Sequence, residues 1–261
     1  MIQMLKCAST TTIEQQTSAS VLRHLMNQTA IALLSNQDLN HFESFHWSLR
    51  NYDKGGNISA QGEQRNCVSV LLSGWAFRFQ TLADGKRQIL DFVFAGSLLG
   101  FGGGSSQPYG VEAITKCTVA SLQTTQFRRM LSGCAILALN VADRVVESEM
   151  RAHEHLTSLG RRSARERIAA LIVELMVRTH IRFVPECGGK LELPITQIMI
   201  GDALGLSNEH VCRTLAKLAE NGLIELSRHA LFVLEPKAIA REAGKSFSEL
   251  AVNKTWEDQA A

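Results

Sequence analysis

The residues with the most useful chemistry lie together in the stretch N-E-H-V-C-R-T-L-A, which spans positions 208–216. Glu209 is a hydrogen-bond acceptor, Arg213 is a forked donor, and Cys212 carries a short polarizable thiol. A glutamate can accept a hydrogen bond from N4 of cytosine, and an arginine can donate to both O6 and N7 of guanine. No nucleophile–base pair, metal-ligand spacing or phosphate loop supports an enzyme, so this chemistry suits recognition.

A helix, a tight turn and a second helix would hold these side chains in place. Ile200 and Leu204 lie four residues apart and share one helix face. Gly201, between them, is small enough for a second helix to cross closely. Gly205 tolerates the left-handed conformation that a tight helix end needs. Ser207 is a suitable N-cap for the second helix.

The second helix separates its side chains into two faces at about 100° per residue. The side that should pack inward carries Val211, Leu215 and Leu218, and the opposite side carries Glu209, Cys212, Arg213 and Ala216. This outer face is typical of a recognition helix that enters the DNA major groove, and Asn221-Gly222 ends the helix. The alternative is a helical hairpin with a solvated charged face. Residues 190–229 contain four Lys/Arg and five Asp/Glu, so no broad basic patch supports phosphate binding.

Composition limits the class of protein. The chain has 261 residues, 45% hydrophobic and 20% charged, with a net charge of +2, which suits two globular domains. It has no apolar run long enough to cross a bilayer and no signal-peptide layout, so we expect a cytoplasmic protein. The six cysteines are scattered without a C-x-x-C pair, which argues against a disulfide framework or a metal site.

Changes in hydrophobic periodicity predict an α+β fold. Between residues 47 and 123, short apolar runs separated by glycines are typical of a barrel or β-roll. Asp84-Gly85 supplies a hairpin turn within this region. The run from Leu99 to Ser106 lacks both the G-x-G-x-x-G pattern and the Walker lysine, which favours a flexible loop at a strand end.

Helical periodicity returns after Gln126 and continues to about Leu159, a length of roughly 50 Å. An apolar seam follows this helix through Leu139, Ala142, Val146, His153 and Leu156. Such a seam suggests a partner helix, most simply a second copy of the chain related by two-fold symmetry. Glu149 and His153 interrupt the seam, so the alternative is a long core helix with a polar end.

The remaining elements complete a division into five segments. Ser163 and Glu166 form a capping box that starts a new helix. Residues 191–195 form a strand before the two helices described above, and residues 224–234 form a two-stranded wing after them. We therefore expect a flexible tail over 1–24, a β-roll over 25–129, a dimerisation helix over 130–160, a winged helix-turn-helix over 161–240 and a C-terminal tail over 241–261.

This order of elements resembles the Crp/Fnr family of bacterial transcription regulators over roughly residues 25–240. The segments Y-D-K-G-G, V-S-V-L-L-S-G, L-A-D-G-K-R-Q-I-L-D-F and A-G-S-L-L-G are similar to the β-roll of that family. R-S-A-R-E-R-I-A-A-L-I is similar to the entry to its DNA-binding domain. Glu209-x-x-Cys212-Arg213 resembles the E-x-x-S-R pattern of the Fnr branch and is closest to FixK-type members.

The resemblance implies a homodimer that binds double-stranded DNA at two-fold sites with TTGAT-like half-sites. It implies an activator that contacts RNA polymerase and controls genes of low-oxygen or nitrogen-oxide metabolism. The DNA-contacting positions that it implies are Gln197, Ser207, Asn208, Glu209, Cys212 and Arg213. Gln197 matches a phosphate-contacting position, whereas Met199 stands where the family usually has an acidic or polar residue.

The sequence also departs from the family at its effector sites. The segment G-F-G-G-G-S-S-Q-P-Y-G-V-E-A lacks the glutamate and the arginine that nucleotide-binding members use, so cyclic AMP is not the expected effector. Only Cys7 lies in the N-terminal region where oxygen-sensing members carry a cysteine cluster, which argues against an iron–sulfur cluster. Haem binding through one of the eight histidines stays open. The alternative function is a β-roll that senses a small ligand, cyclic nucleotide or haem, with altered or weak DNA binding.

Cys212 allows two interpretations. It replaces serine as a small group that fits the DNA interface, or it is a redox-sensitive thiol. The N-terminal half of a helix and a neighbouring arginine both favour the thiolate, and thiolates oxidise.

The missing glutamate and arginine lead to a first testable prediction. The cyclic phosphate and the ribose of cyclic AMP would lack their usual partners, so a calorimetric titration of the protein with cyclic AMP should show no binding in the micromolar range. A micromolar dissociation constant would contradict the prediction.

Overall fold

The computed structural model describes residues 17–100, 106–179, 189–191, 193–226 and 231–244. The chain divides into two compact units. The first comprises Met1–Gln80 and Phe92–Glu149, and the second comprises Thr81–Asp91 and Met150–Ala261. The α+β class is confirmed, and the described part has no helix long and apolar enough to cross a membrane.

From residue 17 onward, where the described part begins, three helices precede the strands: α1 (residues 17–25), α2 (Gln28–Ala32) and α3 (Asn36–Glu43). The prediction of a flexible tail over 1–24 is wrong for residues 17–24, which are helical. Val21, Leu22 and Leu25 are almost fully buried in a core cluster that also contains Phe127. These three apolar residues form a single helix face, and its burial stabilises the helix although the surrounding sequence is polar.

In the described residues, eight strands form the predicted β-roll. One sheet has the order β1-β8-β3-β6 and the other the order β2-β7-β4-β5. The strands are β1 (Ser48–Tyr52), β2 (Asn57–Ser59), β3 (Cys67–Ser73), β4 (Ala76–Thr81), β5 (Arg87–Val93), β6 (Leu98–Leu99), β7 (Gly110–Ala113) and β8 (Cys117–Gln123). Gly85, in the predicted hairpin turn, has φ +83°. Most of the predicted glycine-rich loop, residues 101–105, lies outside the described residues.

Two helices follow the roll where one was predicted: α4 (Thr124–Gly133) and α5 (Ala135–Arg161). The predicted helix over 130–160 is interrupted at Cys134, which has an extended backbone at φ −142° and ψ 100°. Cys134 is buried, and burial raises the pKa of its thiol. The long helix therefore starts at Ala135 and has 27 residues, or about 40 Å.

The second unit contains the predicted capped helix α6 (Ala164–Arg178), in which the Ser163 amide donates to Glu166 at 2.6 Å. A three-stranded sheet has the order β10-β11-β9, with β9 at Gly189–Leu191, β10 at Ile224–Leu226 and β11 at Leu231–Val233. The strand predicted over 191–195 thus ends earlier, at Leu191.

A last helix, α9 (Pro236–Glu242), corrects the prediction of a tail from residue 241 onward. Arg165 donates from Nε and Nη2 to the two carboxylate oxygens of Glu242, at 2.7 and 3.0 Å. These hydrogen bonds lower the pKa of Glu242 below its usual value. Ala243 is fully buried, so the chain is packed as far as this residue, and residues 245–261 lie outside the described part.

Candidate DNA-recognition site

Two short helices form the predicted helix-turn-helix: α7 (Gln197–Leu204) and α8 (Asn208–Glu220). The hydroxyl of Thr196 caps α7 by accepting from the Met199 amide at 3.2 Å. The hydroxyl of Ser207 caps α8 by accepting from the His210 amide at 3.2 Å. Gly205 ends α7 in the left-handed conformation, with φ 64° and ψ 35°. The predicted turn and both predicted helix boundaries are therefore confirmed.

The buried side chains of α8 lie on the face that the sequence predicted to pack inward. Val211, Leu215 and Leu218 are at most 2% exposed, and Ile200 and Leu204 on α7 are also buried. Thr214, which sequence reasoning left out, belongs to this face too. It is buried, and its hydroxyl donates to the His210 carbonyl at 2.7 Å. The apolar stripe fixes which side of α8 remains outward.

Position 201 requires a glycine for a different reason from the predicted one. A Cβ at this position would lie 2.6 Å from the Leu206 carbonyl oxygen, whereas the nearest atom of α8, Val211 Cγ2, would be 3.8 Å away. The Leu206 amide in turn donates to the Gly201 carbonyl at 3.0 Å. The turn backbone therefore folds directly onto Gly201, and it is the turn rather than the crossing helix that requires glycine.

The opposite side of α8 is exposed. It presents Asn208, Glu209, Cys212, Arg213, Ala216 and Lys217 to solvent. Arg213 Nη1 lies 3.7 Å from Glu209 Oε1, and the two side chains are 57% and 86% exposed. An ion pair this exposed contributes at most about 1 kcal/mol, so a better partner can separate the two groups. The structure thus leaves a cationic donor and an anionic acceptor available one helical turn apart.

Gln197 is the first residue of α7, and its side chain is exposed. Ile198 beside it is 59% exposed, while Met199 is half-buried. The half-burial of Met199 accounts for an apolar residue at this position, which sequence reasoning had left unexplained.

The apolar seam predicted on the long helix is exposed. Leu139, Val146 and Leu156 are 66%, 52% and 65% exposed, and Ala142 and His153 are exposed as well. Val145 and Met150, which were not part of the predicted seam, add to the apolar surface of α5. The alternative of a buried core helix does not hold for these positions.

Several side chains of the roll contact one another in the described part. The Arg78 guanidinium lies 5.4 Å from the centre of the Tyr109 ring, and Arg78 Nη2 donates to the Leu98 carbonyl at 2.6 Å. The Phe79 ring lies so close to Gly110 that a Cβ there would be 2.6 Å from Phe79 Cζ. Among the residues that the structure describes, no three or more His, Cys, Asp or Glu side chains are grouped to hold a metal ion.

Both the β-roll and the helix-turn-helix region match known protein families. Residues 166–242 match the family described as Crp-like helix-turn-helix domain. Residues 49–134 match the family described as cyclic nucleotide-binding domain.

Known relatives extend the agreement over most of the chain. The nitrogen fixation regulation protein FixK of Rhizobium meliloti (strain 1021) is 33% identical over 190 residues, which are 72% of this chain and 83% of that protein. The transcriptional activator protein FnrL of Cereibacter sphaeroides is 28% identical over 199 residues, covering 75% and 80% of the two chains. The structure of FixK2 from Bradyrhizobium japonicum superposes with a TM-score of 0.67 at 26% identity and covers 75% of this chain and 96% of that one.

A β-roll, a long helix and a helix-turn-helix with a wing define a DNA-binding transcription regulator rather than an enzyme. The chain belongs to the Crp/Fnr family, in its FixK-like branch.

The contact between Gly201 and the turn gives a stability prediction. Gly201→Ala places a methyl group against a backbone oxygen, so it should lower the free energy of unfolding by about 1–3 kcal/mol. Gly160→Ala is the matched control, because Gly160 is also helical and nothing lies within 4 Å of its Cβ position. The control should be neutral or stabilising by up to about 1 kcal/mol in urea titrations followed by circular dichroism. Equal stability of the two variants would show that the turn tolerates the methyl group.

Proposed function

We propose that this regulator binds DNA as a homodimer at two-fold sites with TTGAT-like half-sites and activates transcription by contacting RNA polymerase. The observation that carries the proposal is the division of α8 into a buried apolar face and an exposed face. The exposed face holds Glu209, Cys212 and Arg213 near the helix N-terminus. This is the part of a recognition helix that reaches base edges in the major groove.

Arg213 and Glu209 suit the single G·C pair of a TTGAT half-site. The Arg213 fork can donate to O6 and N7 of the guanine, and the Glu209 carboxylate can accept from N4 of the paired cytosine. The two side chains are four residues apart and only weakly held by each other at 3.7 Å. Exchange of this exposed pair for two base contacts therefore requires little energy.

Three polar residues at helix starts are suited to position the protein on the phosphate backbone. They are Gln197 at the start of α7, and Ser207 and Asn208 at the start of α8. The Ser207 oxygen accepts the capping hydrogen bond from His210, which leaves its O–H proton to donate to a phosphate. Such contacts fix the register on the duplex without specifying its sequence.

We infer the target genes from the relatives and the family resemblance. We infer the lack of a cyclic AMP effector from the segment G-F-G-G-G-S-S-Q-P-Y-G-V-E-A. Relatives named as a nitrogen fixation regulation protein and as a transcriptional activator support a transcriptional activator. The resemblance to the Fnr branch points to genes of low-oxygen or nitrogen-oxide metabolism as its targets. We further propose a cytoplasmic regulator that uses neither cyclic AMP nor an iron–sulfur cluster. An intact exposed face on α8 favours this function over a ligand sensor with weak DNA binding.

Base recognition by Arg213 is tested by its truncation. Arg213→Ala should weaken binding to a TTGAT two-fold duplex by about 1–3 kcal/mol and relax specificity at one position of each half-site. Fluorescence anisotropy with duplexes substituted at each position measures both effects. Lys217→Ala is the control, since it removes an equal charge one turn further along α8. If Arg213→Ala loses as much affinity on unrelated DNA, Arg213 contacts phosphate and not a base.

Dimerisation is tested by charging the exposed seam. Wild type should be a dimer in light scattering at micromolar concentration, and Leu139→Glu should be a monomer because two buried carboxylates would face each other. Leu33→Glu is the control, since Leu33, the residue that follows α2, is 67% exposed and Leu139 is 66% exposed. A monomeric wild type, with or without DNA, would contradict the proposal.

The redox interpretation of Cys212 is tested by oxidation. Cys212 is a free, exposed thiol beside Arg213. Its conversion to sulfinic or sulfonic acid would place a negative charge and extra bulk in the groove, and should weaken DNA binding about tenfold or more. Peroxide treatment should produce this loss in wild type and not in Cys212→Ser. If oxidised wild type keeps its affinity, or the serine variant loses as much, Cys212 is only a small residue that fits.

A further inference from the structure

The segment Thr81–Asp91 belongs to the second compact unit, together with the helix-turn-helix. Arg87 Nε donates to Asp202 Oδ2 at 3.0 Å, although the two residues are 115 positions apart in the chain. The neighbouring Gln88 Nε2 donates to the Ala203 carbonyl, also at 3.0 Å. Two consecutive side chains of β5 therefore bind two consecutive residues of α7.

A third contact holds the same segment from the other end. Arg178 Nη1, on α6, donates to Asp91 Oδ1 at 2.8 Å and to Glu174 Oε1 at 2.7 Å. Burial alone would lower the pKa of Arg178, but the two carboxylates raise it above its ordinary value. The side chains of Arg178 and Asp91 are only 14% and 17% exposed, so this ion pair is largely shielded from solvent. The segment is thus fixed to α6 as well as to α7.

The contacts on α7 meet its C-terminal end, where helix carbonyls lack partners within the helix. Gln88 satisfies the Ala203 carbonyl, and Arg167 Nη1 on α6 satisfies the Leu204 carbonyl at 3.1 Å. Asp202 places a negative charge near this negative helix end, an unfavourable position that the Arg87 cation offsets. The end of α7 is therefore held from two sides immediately before the turn that leads into α8.

We propose that Arg87 and Gln88 are positioning residues for DNA recognition. They fix the last turn of α7, and through the turn 205–207 they fix the direction in which α8 leaves it. The proposal rests on base recognition by α8 but adds residues from outside the helix-turn-helix to it. Neither side chain needs to touch DNA, because both act through α7.

Three variants and one control test the proposal. Arg87→Gln removes the cation, Asp202→Asn removes the anion with no change of shape, and the double variant removes both. Lys86→Gln is the control, since it removes an equal charge from the adjacent residue, whose side chain pairs with Asp84 and is 80% exposed. Binding to the two-fold TTGAT duplex and to an unrelated duplex is measured for each protein, together with amide hydrogen exchange in α7 and the following turn.

We expect Arg87→Gln and Asp202→Asn each to weaken binding to the two-fold duplex by about 3- to 10-fold, with a smaller loss on the unrelated duplex. The double variant should be no weaker than either single variant, because both remove the same interaction. Amides at the end of α7 should exchange faster in these three proteins, and Lys86→Gln should match wild type. A merely structural role would lower thermal stability without changing the ratio of the two affinities.

Two results would overturn the proposal: an unchanged affinity ratio in Arg87→Gln, or additive losses in the double variant. A wild type that does not discriminate the two-fold duplex would instead contradict the proposed function. In that case the exchange measurement still decides whether Arg87 holds α7, since it is made on the protein without DNA. Exchange at wild-type rates in Arg87→Gln would then reject the positioning role.

Discussion

The close packing of the turn backbone against Gly201 is the constraint on which the outward face of α8 depends. The Leu206 amide bonds to the Gly201 carbonyl, and the Leu206 carbonyl occupies the space that a Cβ of residue 201 would need. Gly205 in the left-handed conformation and the Ser207 cap complete the reversal. Since the buried face of α8 then fixes its rotation, the outward direction of Glu209 and Arg213 follows from these few backbone contacts.

Three arginines of α6 form hydrogen bonds within the second unit. Arg165 binds Glu242, Arg167 binds the end of α7, and Arg178 binds Asp91 and Glu174. Each of these guanidinium groups on α6 therefore has partners within the protein. Residues 190–229 contain four Lys/Arg and five Asp/Glu, so binding energy must come from well-placed donors rather than from a broad basic surface, which favours specificity over general attraction to DNA.

The sequence predicted the features that arise from neighbouring residues. Glycine at a left-handed position, serine caps and the apolar stripe of α8 all depend on spacings of a few residues, and all were found as predicted. The break at Cys134 and the packing of α1 were missed because their cause is tertiary burial, which local periodicity does not report. The pair between Arg87 and Asp202 spans 115 residues, and no local pattern marks it.

The central claim is that two copies of α8 read two half-sites on one face of DNA, and spacing tests it most directly. Affinity is measured for one duplex with TTGAT half-sites in their two-fold arrangement and for a second with five base pairs inserted between them. The insertion rotates one half-site by about half a helical turn while both sequences stay intact. We expect binding to the second duplex to be about 100-fold weaker or more, because only one half-site can be engaged. Equal affinity for the two duplexes, with one protein chain on each half-site, would contradict it.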